Sequence, residues 1–189
     1  MIEIRWHSRA GQGAVTGAKG LGSVVAETGK EVQAFAFYGS AKRGASMTAY
    51  NRIDDKKILN HGKFMHPDYV LILDPGLAYT DDITANEKKT TKYIITTHLK
   101  KDELIAAIPA LKGKEDRVYT LDCFTIAQET IGRAIPNTPM LGALMRVDGM
   151  FSLEYFQNAM KSVLAKLPQK IIDGNMIAIQ RAYNEVEGV

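Results

Sequence analysis

The fold is decided by the first thirty residues, MIEIRWHSRAGQGAVTGAKGLGSVVAETGK (Met1–Lys30). Ile2–Trp6 is predicted to be a strand, Ala10–Ala14 a tight glycine turn, and Val15–Glu27 a helix that ends at Gly29. Glycine lets a backbone approach a ligand without an intervening Cβ. The first N–H groups of a helix have no partner within the helix, and the helix dipole favours negative charge beside them. The stretch therefore predicts a binding site for a phosphate or a pyrophosphate.

The glycine pattern also has a purely structural interpretation. Gly11 and Gly13, followed by Gly17, depart from the G-x-G-x-x-G pattern of dinucleotide-binding turns, and the glycines could simply let the helix pack closely on a sheet. A dinucleotide site also requires an acidic residue roughly 20 positions further on, at the end of the second strand, to hold the ribose. The second predicted strand, Val32–Phe37, is followed by a tyrosine and a glycine. The sequence therefore argues against NAD.

The remainder of the chain alternates between strand and helix patterns. Further strands are predicted at Met47–Ile53, Tyr69–Leu73, Lys92–Thr97 and Arg117–Asp122, with a short helix from Asp102 to before Pro109 and a longer one over Phe124–Ala134. Such alternation is typical of a doubly wound α/β fold, in which helices cover both faces of a mostly parallel sheet. We therefore predict a three-layer α/β architecture with C-terminal helices.

One strand is expected to run against the others. The connection over residues 40–46 is too short for a crossover helix, so Met47–Ile53 is predicted to be antiparallel to its neighbours. Only a few residues separate Ile53 from Ile58 and Leu59, which predicts a hairpin between these two segments.

The C-terminal third contains three apolar segments. Two have helical spacing: Phe156, Met160, Val163, Leu164 and Leu167 in the first, and Met176, Ile179, Tyr183 and Val186 in the second. Both stripes are predicted to face the core. The segment Pro136–Met145 is apolar and rich in methionine, which fits either a buried helix or an adaptable partner surface. If Met140–Met150 is exposed, the isolated chain should self-associate.

Composition narrows the class of protein. The 189 residues are 46% hydrophobic, and we expect one domain over residues 1–189. Cys123 is the only cysteine, so the chain has no internal disulfide, no paired thiolates for zinc and no iron–sulfur cluster of its own, and a cytoplasmic location is expected. The net charge of +3 is spread among acidic residues rather than gathered in a nucleic-acid patch.

The predicted anion site lies where loops meet. In open α/β sheets, ligands bind outside the carboxyl ends of the strands. The glycine turn and the loop from Tyr38 to Gly44 both lie at such ends, so Lys42 and Arg43 are predicted to fold over an anion bound by the amides of Gln12–Ala14. The alternative is that these two cations are solvated or pair with acids on another subunit.

Catalytic groups are not evident. His7 follows the first predicted strand and is either a base or a polar neighbour of the turn. His61, His66 and His98 have no metal-ligand spacing, and there is no pair of carboxylates suited to catalysis. We therefore assign no catalytic residue and no metal ligand, and the pattern favours a binding module.

Three segments together resemble the gamma subunit of pyruvate:ferredoxin oxidoreductase and of related 2-oxoacid oxidoreductases. Arg9–Val15 resembles that family's RGGQG turn, Tyr38-Gly39 with Arg43-Gly44-Ala45 resembles its second motif, and Pro136-Asn137 with Met140–Leu144 resembles its third. The segments occur in the family's order and span nearly the whole chain. Ala10 departs from the family, which usually has glycine there, and it fits if its φ angle is negative.

The resemblance implies a multi-subunit enzyme. Family members decarboxylate a 2-oxoacid on thiamine diphosphate, pass electrons through iron–sulfur clusters to ferredoxin and transfer the acyl group to coenzyme A (CoA). Thiamine diphosphate lies largely between the alpha and beta subunits, and the delta subunit carries the clusters. The gamma domain is associated with CoA and with assembly. By this resemblance the CoA-binding residues would be Gly11, Gln12, Gly13, Ala14, Lys42, Arg43 and Gly44.

Other interpretations remain open at this point. Pyruvate is the first choice of substrate, with 2-oxoisovalerate, 2-oxoglutarate and indolepyruvate as alternatives. The chain could also be a structural subunit whose glycine turn binds nothing. A free-standing nucleotide-dependent enzyme is the third alternative, against which the missing carboxylate after Phe37 argues.

Overall fold

A computed structural model describes residues 1–39, 44–62 and 66–189. Within these ranges six strands form one sheet, in the order β2-β3-β1-β4-β5-β6. The strands are β1 (Ile2–Arg9), β2 (Glu31–Tyr38), β3 (Ser46–Asp54), β4 (Tyr69–Ile72), β5 (Lys92–Thr96) and β6 (Val118–Leu121).

Helices follow β1, β4, β5 and β6 in the chain. They are α1 (Ala14–Ala26), α2 (Leu77–Thr80), α3 (Lys101–Ala107), α4 (Cys123–Ile131), α5 (Asn137–Asp148), α6 (Leu153–Val163) and α7 (Gln169–Glu185), with 3₁₀ turns at Pro109–Leu111 and Glu115–Arg117. Strand β1 is longer than predicted because it pairs with β3 along its full length, from Ile2 opposite Ile53 to Arg9 opposite Ser46. Within the described residues, no helix combines the length and apolar character needed to span a membrane.

The sheet is mixed, as predicted. Strands β1, β4, β5 and β6 pair in parallel, whereas β3 is antiparallel to both β1 and β2. The α/β fold with one antiparallel strand is thus confirmed. The predicted hairpin to Ile58 and Leu59 is wrong, since β3 is already hydrogen-bonded on both edges and has no free edge for a further strand. Ile58 instead buries its side chain, and its carbonyl accepts a hydrogen bond from Gln33 Nε2.

The larger core lies on the face of the sheet that carries Trp6. Helix α1 packs here, and a Cβ added at Gly17 would lie 3.1 Å from the Trp6 ring. Trp6 Nε1 donates to Asn51 Oδ1 at 2.9 Å, and Asn51 Nδ2 donates to the Ala18 carbonyl at 2.8 Å. The tryptophan and the glycine together fix the distance between α1 and the sheet, which positions the turn at the start of α1.

Helix α5 resolves the alternatives left for the methionine-rich segment. Met140, Ala143 and Met145 are fully buried, so the segment is a buried helix. A Cβ at Gly142 would come within 2.4 Å of the Ile179 carbonyl oxygen, which shows how closely α5 and α7 approach. The prediction of an exposed apolar surface around Met140–Met150 is therefore wrong. The self-association predicted from that surface loses its basis.

Candidate anion-binding cleft

The glycine turn joins β1 to α1 in the conformation that only glycine adopts easily. Gly11 and Gly13 have φ angles of +98° and +84°, whereas Ala10 has a negative φ, which explains how alanine fits at that position. Gly13 is the N-cap of α1, with no side-chain cap and no acidic residue in the first turn of the helix. Among the described residues, none accepts a hydrogen bond from the N–H groups of residues 13–16. These amides are available to an anion.

The turn is fixed by hydrogen bonds to Asp74, just past the end of β4. Gln12 Nε2 and Arg9 Nε both donate to Asp74 Oδ2, at 2.7 and 3.2 Å, and Gln12 Oε1 accepts from the Arg9 N–H at 2.8 Å. The Gln12 N–H donates to the Arg9 carbonyl at 3.2 Å. That bond occupies one of the amides predicted to face an anion. Gln12 thus holds the shape of the turn, and Arg9 balances the charge of Asp74.

The first two motifs meet at this turn. Arg9 Nη1 donates to the carbonyl of Gly44 at 2.8 Å, and Gly44 itself has a φ of +79°. Lys42 and Arg43, the predicted cationic clamp, lie outside the described residues. The residue that follows them in sequence is therefore held directly beside the glycine turn.

The third motif also packs against the glycine turn. A Cβ added at Gly13 would lie 2.8 Å from Cγ and Nδ2 of Asn137, and one at Gly17 would lie 3.4 Å from Asn137 Cβ. Asn137 is the first residue of α5, so the start of α5 packs against the start of α1. The three motifs, which lie far apart in the sequence, thus form one site.

A cleft of about 500 Å³ opens beside the turn. Its walls come from α1, from the α4–α5 connection and from the region between α6 and α7: Gly11, Gly13, Thr16, Ile131, Arg133, Ile135, Asn137, Thr138, Leu164, Leu167, Pro168, Ile171 and Asn175. No carboxylate is among these lining residues. The side chain of Arg133 is exposed and has no acidic partner in the described part of the chain. The cleft is therefore apolar with one free positive charge.

A second cavity at the carboxyl edge of the sheet has the opposite character. It measures about 250 Å³ and is lined by Asp122, Glu185 and Glu187 together with His98 and Lys100. Its carboxylates would repel a phosphate. Of these two cavities, the cleft at the glycine turn is the one whose lining contains no carboxylate.

His7 does not belong to the cleft. It lies on the face of β1 opposite Trp6, is 4% exposed, and its Nδ1 lies 3.0 Å from Asp81 Oδ2. Burial lowers the pKa of His7, against the opposing effect of the Asp81 hydrogen bond. Nε2 is buried and has no partner among the described residues. Of the two interpretations of His7, the structure favours a polar neighbour that holds the segment after α2.

Four residues of this region have roles that the sequence did not predict. Arg9 and Asn137 stand within the recognised motifs, but the motifs alone do not show what their side chains contact. Asp74 follows a predicted strand, where a carboxylate is common. Arg133 carried no sequence signal, because an isolated arginine in the last turn of a predicted helix is ordinary. Its place in the cleft depends on how α4, α5 and α7 pack.

Comparison with known proteins gives matches along the full chain. The family described as pyruvate ferredoxin/flavodoxin oxidoreductase matches residues 3–185. The chain is 41% identical to the pyruvate/ketoisovalerate oxidoreductases common subunit gamma of Thermococcus kodakarensis, covering 98% of this chain and 97% of that protein. It is 39% identical to pyruvate synthase subunit PorC of Methanothermobacter thermautotrophicus, with 99% and 97% covered. The crystal structure of pyruvate oxidoreductase subunit PorC from Thermotoga maritima superposes with a TM-score of 0.82 at 35% identity, over 98% of this chain and 97% of that one.

Proposed function

Because this chain belongs to the pyruvate ferredoxin/flavodoxin oxidoreductase family, as its three motifs predicted, we propose that it is a gamma subunit that binds the phosphates of CoA. The observation that carries this proposal is the free start of α1. Its first amides have no acceptor among the described residues, and no carboxylate lines the cleft beside them. A helix start of this kind is suited to an anion, and CoA carries several phosphates.

The residues present fit a bound phosphate. The N–H groups of Gly13 and Ala14 are free to donate, and the side of Gly11 is open, since a Cβ added there would have nothing within 4 Å. Gln12 acts through its side chain, which holds the turn against Asp74. We propose that Lys42 and Arg43 supply the charge from the loop that ends at Gly44, since a guanidinium binds a phosphate through two hydrogen bonds.

The proposed complex follows the family. Its alpha, beta and delta subunits would hold thiamine diphosphate and iron–sulfur clusters, and ferredoxin would accept the electrons as pyruvate is converted to acetyl-CoA and CO₂. When bound, CoA supplies the thiol that accepts the acyl group. We place the complex in the cytoplasm. This chain is one gamma-type domain over residues 1–189, which positions the thiol of CoA and contributes to assembly of the complex. Positioning can supply several kcal/mol of a barrier.

The name of the T. kodakarensis relative mentions both pyruvate and ketoisovalerate. The second candidate function is therefore the same role toward 2-oxoisovalerate. Because the substrate pocket is expected on other subunits, we place the choice of 2-oxoacid outside this chain. Assays of the complex with each 2-oxoacid in turn distinguish the two.

The test uses the whole complex. Tagged chain is purified without oxygen from its native host, and reduction of a viologen dye by pyruvate is followed over a range of CoA concentrations. Arg43→Ala is expected to raise the apparent KM for CoA roughly tenfold, the cost of one charge-assisted hydrogen bond, and to leave the KM for pyruvate unchanged. Lys112→Ala, which removes an exposed lysine, is the control.

The glycine turn is tested by a matched pair. Gly11 and Gly113 both have positive φ and open space around a Cβ, so alanine strains the backbone similarly at both. Gly11→Ala is expected to weaken CoA binding, and Gly113→Ala is not. An assembled, active complex in which Arg43→Ala and Gly11→Ala both keep the wild-type KM for CoA would contradict the proposal and favour a structural subunit.

A further inference from the structure

We propose that Asp74 is a positioning residue for CoA, which touches no ligand itself but orients both the glycine turn and the loop that ends at Gly44. This role rests on the proposed function and adds to it a residue outside the three motifs. Asp74 lies just past the end of β4 and is not among the residues that line the cleft. Its effect on CoA therefore passes through the residues to which it is bonded.

One oxygen of Asp74 holds the glycine turn. Asp74 Oδ2 accepts a hydrogen bond from Gln12 Nε2 at 2.7 Å. Gln12 lies between Gly11 and Gly13, the two glycines with positive φ angles. At the other end of the same side chain, Gln12 Oε1 accepts from the Arg9 N–H at 2.8 Å. Because both ends of this amide are bonded and hydrogen bonds are directional, the turn has a fixed position relative to β4.

The same oxygen orients Arg9, which joins the turn to the second loop. Arg9 Nε donates to Asp74 Oδ2 at 3.2 Å, and Arg9 Nη1 donates to the Gly44 carbonyl at 2.8 Å. A guanidinium is a rigid planar fork of donors, so a bond that fixes Nε also fixes the direction of Nη1. Lys42 and Arg43 directly precede Gly44 in the sequence, so Asp74 contributes to placing the two cations of the proposed clamp.

The Asp74 carboxylate is itself held in place. Its Oδ1 accepts from the Gly76 N–H at 2.9 Å, and the side chain is 16% exposed. A Cβ added at Gly76 would lie 2.9 Å from Asp74 Oδ1 and 3.7 Å from Arg9 Nη2. The φ angle of Gly76 is −64°, which any residue adopts. Glycine is therefore needed at this position for space, because a side chain would displace the carboxylate.

The sign of the Asp74 charge separates a positioning role from a purely electrostatic one. A carboxylate near an anion site repels the anion, so by its charge alone Asp74 would weaken the binding of CoA. If only the charge mattered, its removal would strengthen binding. The positioning role predicts the opposite, because removal of the charge breaks the pair with Arg9 and releases the turn and the loop.

Steady-state kinetics of the assembled complex test this role. Asp74→Asn is expected to raise the apparent KM for CoA about fivefold to tenfold, and to leave kcat and the KM for pyruvate within about twofold of the wild type. Asp68→Asn is the matched control at the opposite end of β4. Asp68 pairs with Lys88 at 2.6 Å and accepts from the Glu3 N–H at 2.9 Å, so its loss breaks similar bonds away from the turn.

A second variant moves the carboxylate without changing its charge. Gly76→Ala inserts a Cβ against Asp74 Oδ1 and is expected to raise the KM for CoA roughly threefold. Gly62→Ala is its control, because the Gly62 N–H donates to Asn60 Oδ1 at the same distance of 2.9 Å, and a Cβ there would lie 3.4 Å from that oxygen. If Asp74→Asn does not assemble, Gly76→Ala decides the question.

The outcomes distinguish this role from the proposed function. If Gly11→Ala and Arg43→Ala raise the KM for CoA but Asp74→Asn and Gly76→Ala do not, CoA binding stands and the positioning role is overturned. A lower KM for CoA in Asp74→Asn would also overturn it, because the carboxylate would then act only as a repelling charge. An equal rise in Asp68→Asn would overturn it as a general loss of stability. If Gly11→Ala and Arg43→Ala also keep the wild-type KM, the proposed function itself is contradicted.

Discussion

The two faces of strand β1 are buried to the same degree but stabilised in different ways. Ile4 and Trp6 are inaccessible on one face, while Glu3, Arg5 and His7 on the other are each less than 7% exposed. The first face packs against helices through apolar contacts. The second binds loop segments through hydrogen bonds and ion pairs. The two faces are therefore similarly buried, but one is stabilised by apolar packing and the other by hydrogen bonds and ion pairs.

The polar face of β1 forms hydrogen bonds and an ion pair with specific residues. Arg52 Nε donates to Glu3 Oε1 at 3.0 Å, and further guanidinium nitrogens donate to the carbonyls of Asn60 and Gly62. Arg5 donates to the carbonyls of Ile83 and Ala85, at 2.7 and 2.8 Å. Because hydrogen bonds are directional, this face fixes where particular loops cross the sheet. The apolar face fixes how closely helices approach it.

The largest expected effect is on the apolar face. Trp6→Ala removes a fully buried ring and leaves Asn51 Oδ1 without its donor, so we expect a loss of about 3–5 kcal/mol in the free energy of unfolding. Thermal unfolding followed by circular dichroism measures it. Trp6→Phe keeps most of the volume and should cost less. If Trp6→Ala lowers the free energy of unfolding no more than Trp6→Phe does, the core must close around the space left by the ring.

On the polar face we expect one substitution to lower the free energy of unfolding by about 3 kcal/mol. Glu3→Gln leaves the charge of Arg52 buried without its carboxylate, and breaking a buried pair on one side costs about this much. Urea unfolding gives the value. The double variant Glu3→Met with Arg52→Met should lose less than Glu3→Gln alone, because it removes both charges. If the double variant is the less stable, the carbonyl contacts of Arg52 matter more than the pair.

The smallest effect depends on pH. Burial lowers the pKa of His7, so as the pH falls from 7 toward 5 the unfolded chain binds a proton that the folded chain does not, and stability decreases. One such proton changes the free energy of unfolding by at most about 1.4 kcal/mol per pH unit. His7→Gln should flatten this dependence.

The positions of the strands and helices followed closely from local patterns. Predicted and observed boundaries agree within a few residues for α1 and β2, because a glycine turn and an apolar run are local features. The hairpin at Ile58 was wrong because strand pairing is not local. Strand β3 bonds to β2 and β1 instead, and no spacing in the sequence shows that both of its edges are taken.

The candidate site was only partly visible in the sequence. Its glycines were visible because positive φ angles and close approach demand glycine, and Gly11 and Gly13 have both the pattern and the conformation. Arg133 was not visible, because an arginine becomes part of a cleft only when distant helices place walls around it.

The sequence by itself determined the strand–turn–helix that leaves free amides at the start of α1, the α/β class and the family. These depend on backbone preferences and residue patterns within short segments. Only the tertiary structure decided that Glu3, Arg5 and His7 lie in a buried face rather than in solvent, and that Asn137 meets Gly13. The physical reason is that an alternating strand looks the same whether its polar face meets water or partners, and those partners come from distant parts of the chain.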